Sequence, residues 1–190
     1  NRYAQNATIA EQSQSDTYQI VLTWSADPRD LDSHMTGTLP SGETFHTYFR
    51  NKNCYYNNKH VCKLDVDDVN GYGPETITVQ VNNTAPYYYY VYKYSGRGSL
   101  SSSGAQVKVY KSGKLLATYN VPTNQGTNDY WNVFSIVNGK IITKNTITSS
   151  ADIGYATLNK QVSRAAKADL YLHASDACNT EATLEGMEKK

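Results

Sequence analysis

A chain of 190 residues with 18 basic and 17 acidic side chains is long enough for one core, and its net charge of +1 gives no bulk attraction to nucleic acid or to an anionic membrane surface. No run of about 18 apolar residues occurs, which excludes an apolar helix that spans a bilayer. Seventeen Tyr against 3 Phe and 2 Met, in a background rich in Thr, Ser, Asn and Val, disfavours a helix bundle and suits pleated, half-wet surfaces.

Residues 1–16 carry no apolar stretch behind a basic start. They read as a leader or linker rather than a signal peptide, and the chain reads as a mature part of something longer. From Tyr18 to Trp24, the residues Ile20, Leu22 and Trp24 alternate with Gln19, Val21 and Thr23, the period of a strand with one apolar face. Ser25-Ala26-Asp27-Pro28 ends it, because Pro28 lacks a donor and biases Asp27 away from helix. Two β-prone runs, Leu31 to Thr38 and Thr44 to Arg50, flank the turn signal Leu39-Pro40-Ser41-Gly42 and read as a hairpin.

Cys54 and Cys62 bracket a short polar stretch that a hairpin would close into a disulfide in an oxidising compartment; two free thiols are the alternative, and Cys178 is left over. Further strands are expected at Lys63 to Asp67, Glu75 to Val81, Tyr87 to Tyr94, Ala105 to Lys111, Lys114 to Val121, Tyr130 to Val137 and Lys140 to Thr146. Ser112-Gly113 and Asn138-Gly139 are two-residue hairpin signals between such runs. Nine or ten short strands spaced by tight turns predict an all-β, antiparallel β-sandwich over 17–145, immunoglobulin-like or jelly-roll-like. The tail, 146–190, reads as a linker to a further module, with 157–167 patterned as one amphipathic helix.

The densest polar information lies in Asp27-Pro28-Arg29-Asp30-Leu31-Asp32-Ser33-His34. In extended chain Asp30, Asp32 and His34 share one face. His46, on the partner arm of the hairpin, neighbours His34 if the loop sets the two opposite one another. A second acidic stretch carries Asp65, Asp67 and Asp68 and runs through Asn70-Gly71-Tyr72-Gly73-Pro74 to Glu75. Several carboxylates with glycines for tight curvature suit a hard cation, and calcium is the first expectation, although no EF-hand spacing is present. With His34 and His46 included, zinc in a mixed nitrogen and oxygen site is the alternative. Tyr88, Tyr90 and Tyr92 share one face of their strand and are candidate ligand-binding rings, for stacking on a glycan or against a protein.

These stretches resemble the bacterial DUF2135 family, related to YfaP-like proteins. The resemblance rests on Ile20 to Trp24 with Pro28 to His34, on Phe45 to Phe49, and on Leu64 to Asp68 with Gly71 to Ile77. It continues through Tyr87 to Ser95, Ser103 to Tyr110 and Leu116 to Pro122. Ser33 stands where the family pattern commonly has an apolar residue, and the Cys54 to Cys62 insert is particular to this chain. The resemblance implies an extracellular β-sandwich within a larger secreted or cell-surface protein, beside neighbouring domains of the same polypeptide, and implies no reaction.

The expected function is therefore a metal-stabilised adhesion or binding module for an extracellular protein or glycan. A metal-dependent hydrolase using Asp32, His34, His46 and Asp67 is the alternative, although HExxH and Gly-x-Ser-x-Gly motifs are both missing from the sequence. A carboxylate pair for glycoside cleavage ranks third, since its chemistry depends on a separation that sequence does not fix.

Overall fold

In the computed structural model, which describes residues 16–81 and 84–154, the alternation read from the sequence becomes eleven antiparallel strands. They are β1 (Thr17–Thr23), β2 (Asp30–Thr38), β3 (Thr44–Thr47), β4 (Asn53–Tyr56), β5 (Lys59–Val66) and β6 (Glu75–Gln80), followed by β7 (Tyr87–Ser95), β8 (Gln106–Lys111), β9 (Lys114–Asn120), β10 (Tyr130–Val137) and β11 (Lys140–Thr148). A six-stranded sheet, in the order β4-β5-β6-β1-β8-β9, packs on a five-stranded sheet, β11-β10-β7-β2-β3. The fold is a β-sandwich, and no helix occurs among the described residues.

Each sheet buries the face its alternation prescribes. In β1, Tyr18, Ile20 and Leu22 point inward, and in β6, Ile77 and Val79 do. Leu31, Met35, Phe45, Tyr87, Tyr89, Val91 and Trp131 come from the facing sheet. A fully buried side chain of this kind contributes roughly 1.5–3 kcal/mol, so the sandwich rests on these rows. The hairpins close on residues with positive φ. Asn138 (50°) with Gly139 (73°) and Ser112 (50°) with Gly113 (77°) make the turns whose twist matches the strands they join.

Three expectations need correction. The arm expected from Thr44 to Arg50 is a strand only to Thr47, since Tyr48 and Asn51 then turn back on one another. The Cys54 to Cys62 insert contains a further strand, β4, paired with β5 through a turn at Asn57 and Asn58, both at positive φ. The disulfide expected between Cys54 and Cys62 is not formed, because Cys62 is a free, buried thiol. The two residues are directly opposite across the β4–β5 ladder. Cys54 is already engaged in a disulfide, so its sulfur is not available to Cys62. Burial pushes the Cys62 thiol up to about 12, so it stays protonated.

Strand β11 runs on to Thr148, beyond the expected edge of the domain at 145. The helix expected over 157–167 lies outside the described residues, as does Cys178.

Candidate metal centre

Two loops meet at one end of the sandwich because backbone groups and two glycines fasten them together. Trp24 N–H donates to Tyr72 O and Tyr72 N–H donates to Ser25 O, both at 3.1 Å. Arg29 Nε donates to Val69 O at 3.1 Å, and the Trp24 indole donates to Pro28 O at 2.9 Å. Gly73, at φ 75°, leaves room for no side chain, since a Cβ there would lie 2.8 Å from Leu22 O and 2.9 Å from the Trp24 ring. The segment after β1 and the Gly71-Tyr72-Gly73-Pro74 turn before β6 are thus held against each other, which brings Glu75 beside β2.

Strand β3 covers β2 only from Met35 onward, which leaves the edge of β2 open at Asp30 to His34. Glu75 uses that opening: Ser33 N–H donates to Glu75 Oε2 at 2.6 Å. Asp30, Asp32 and Glu75 each then offer one oxygen, all within 4.8 Å of one another, a group that can hold a metal ion. The protein satisfies these carboxylates only in part, through Ser33 N–H on Glu75 and a hydrogen bond between the Asp30 and Asp32 side chains. Asp30 Oδ1, Asp32 Oδ2 and Glu75 Oε1 are buried without a hydrogen-bond partner, and so is Asp67 Oδ1. Among the described residues no Lys or Arg makes an ion pair with Asp30, Asp32 or Glu75, whereas Lys52 Nζ holds Asp67 Oδ2 at 2.9 Å.

Electrostatics register the crowding. Burial pushes Asp32 up to about 8, with the charges of Asp30 and Asp67 adding to it. Burial likewise pushes Glu75 up to about 10, against the hydrogen bond from Ser33 N–H and with help from Asp32 and Asp67. Asp30 is raised by burial, and then by Asp67. Several like charges taken from water are tolerated when a cation or protons offset them.

The other members of the expected metal set separate from this group. Asp65 lies on the solvent side of β5, accepting from Thr78 Oγ1 at 2.5 Å with Lys63 3.5 Å away. Asp68 accepts from Asn70 N–H at 2.7 Å in a local, exposed turn. A shift of register between Leu64 and Val66 explains the split. The extra residue exposes Val66 and turns Asp67 inward instead.

His34 and His46 form a pair of their own. The ladder sets His46 opposite Thr36, so the two histidines are diagonal rather than opposed, and still His34 Nδ1 lies 2.8 Å from His46 Nε2. Tyr90 Oη is 3.3 Å from the same His46 nitrogen, Tyr90 stacks on His34 at 4.7 Å and Tyr48 on His46 at 4.3 Å. Burial lowers His34 well below its ordinary value and His46 to about 4, so both rings are neutral at physiological pH.

Of the three candidate ligand-binding rings, Tyr90 is 3% exposed and serves this stack, while Tyr88 and Tyr92 are half-buried. Tyr92 packs on Tyr130 at 4.9 Å, and Gly154 lies against the Tyr88 hydroxyl. No protein-family model matches the chain, and no solved structure matches it.

Sequence reasoning found the carboxylates but not the groups that arrange them. Ser33, whose N–H positions Glu75, and Lys52, which holds Asp67, carry no motif, and Tyr48 sits just past the end of β3 in a run that reads as strand.

Proposed function

We propose that this chain is an extracellular binding module of a larger secreted or cell-surface protein, whose recognition end is made rigid by a calcium ion. The observation that carries the reading is the group of Asp30, Asp32 and Glu75, each with a buried carboxylate oxygen that has no partner, with the charge of Asp67 acting on all three. Oxygen donors alone favour a hard cation over zinc. An oxygen spread of up to 4.8 Å is the span across an ion bound at roughly 2.4 Å on either side, the calcium distance.

The ion would tie β2 to β6 and the loops that precede them, so its role is structural. Its ligands are nearly sealed, with Asp32 at 2% and Glu75 at 0% exposure, which leaves no open position at which substrate could meet metal-bound water. That burial weighs against the hydrolase. Exposed Val69, Tyr72 and Tyr94 lie on the segments around the cluster, and they are the surface we assign to a protein or glycan partner. The DUF2135-like motifs, which include the ligand-bearing residues, support the same extracellular setting.

The test is a calcium titration of metal-stripped protein, followed by melting curves with and without chelator. One calcium per chain and a rise in melting temperature are expected. At free calcium about 100 times Kd, linkage adds about 2.7 kcal/mol. Unchanged melting at millimolar calcium would sink the proposal. Screening a glycan and matrix-protein array with and without calcium would then identify the partner.

A further inference from the structure

We infer that His34, His46 and Tyr90 form a second metal site, selective for a borderline transition ion such as Zn2+ or Cu2+ and distinct from the carboxylate group. The two donor sets divide by chemistry: carboxylate oxygens gather around Glu75, whereas imidazole nitrogens and a phenol gather between β2, β3 and β7. Neutral imidazole is a ligand for zinc and copper and a poor one for calcium.

Geometry supports the assignment. Two imidazole nitrogens on one zinc, each at about 2.0–2.1 Å, lie roughly 2.9–3.4 Å apart for bond angles between 90° and the tetrahedral value. His34 Nδ1 and His46 Nε2 stand at 2.8 Å with their ring centroids 5.0 Å apart, so the nitrogens face each other nearly in line and each ring must turn about its Cβ–Cγ bond to aim its lone pair at a shared ion. Tyr90 Oη, 3.3 Å from His46 Nε2, is placed to supply a third donor. The proton now shared by the two nitrogens moves to the far nitrogen of one ring, and both facing lone pairs become available to the ion.

Tyr48 and Tyr90 stack on the pair and keep the two rings against each other.

The experiment titrates Zn2+ and Cu2+ into calcium-saturated protein, by calorimetry and by electron paramagnetic resonance of the copper form. One ion per chain is expected, with hyperfine splitting from two nitrogens and a near-ultraviolet band from tyrosine ligation. His46→Gln is expected to weaken binding at least about 10-fold, and Tyr90→Phe to remove the tyrosine band while the fold remains. His60→Ala and His173→Ala, which change the other two histidines, are expected to leave binding intact. Zinc that instead competes with calcium, follows Glu75→Gln or is lost with His60→Ala would overturn the second site. Calcium binding is scored separately on Glu75→Gln, so either site can fail without the other.

Discussion

The two acidic stretches of this chain contain the same residue types and meet opposite fates. Asp30 and Asp32 lie along the open edge of β2, where Glu75 joins them, and all three lose most of their contact with water. Asp65 and Asp68, in a stretch just as rich in carboxylates, remain at the surface with a lysine and a backbone N–H for company. The difference is one of register and not of composition. Where a neighbouring strand stops short, a carboxylate can turn into the gap, and where a bulge intervenes, only the residue after it does so. Carboxylates brought together in this way need a cation or protons, and those left outside need neither.

The sharpest way to break the comparison is Glu75→Gln. The amide still accepts from Ser33 N–H, so the ion-free protein is expected to melt at or above the wild-type temperature. Calcium affinity is expected to fall by more than about 100-fold, beyond the roughly 10- to 100-fold that an outer-shell partner is worth. Calorimetry and calcium-dependent melting give both numbers. A drop in ion-free stability with calcium affinity kept would make Glu75 a structural acceptor and nothing more.

Acidity gives the next largest effect. Unfolded carboxyls titrate near 4, whereas in the ion-free fold Asp32 titrates at about 8 and Glu75 at about 10. Groups raised in this way favour the ion-free fold fully below the unfolded value, and their contribution is lost as pH climbs through the folded values. Calcium needs the carboxylates charged and displaces their protons, so its contribution has the opposite slope. The gap between melting temperatures with and without calcium should therefore widen from about pH 5 to about pH 8. A constant gap would mean that the ion binds elsewhere.

Much of this was legible beforehand. The turn pairs Ser112-Gly113 and Asn138-Gly139 placed β8 to β11 within a few residues, because positive φ at both central positions leaves such sequences few alternatives. The paired turn at Asn57 and Asn58 uses the same backbone geometry with side chains that announce it less clearly, so a hairpin between Cys54 and Cys62 is legible while the bounds of β4 are not. The sequence marks Asp30, Asp32 and Glu75 as ligands, and it marks Asp65 and Asp68 equally. Nothing local distinguishes them, since the bulge in β5 and the early end of β3 arise from pairing across the sheets. The separation of His34 and His46 from the carboxylates has the same origin: alternation put His34 on the face of Asp32, and only the register showed which partners each would meet.

Gly73→Ala tests the fastening between the two loops. A side chain at φ 75° is strained, and this one would also press on Leu22 O and the Trp24 ring, so a loss of about 1–3 kcal/mol is expected in chemical denaturation. Because Glu75 follows two residues later, calcium affinity should fall as well. Gly42→Ala, at φ 90° but with nothing within 4 Å of the new methyl, is the control: it shares the strain and should leave calcium binding alone.

The smallest expected effect is the most direct check on the register. Asp65→Asn removes a loose surface pairing with Lys63 and keeps an acceptor for Thr78 Oγ1, so stability should change by less than about 0.5 kcal/mol. Calcium affinity should stay within about two-fold. Asp67→Asn, two residues along the same stretch, removes charge from a side chain whose Oδ1 is buried without a partner, and it should weaken calcium binding clearly. If the two variants behaved alike, β5 would not carry its bulge between Leu64 and Val66, Asp65 and Asp67 would share one face, and the contrast between sheltered and solvated carboxylates would collapse at its narrowest point.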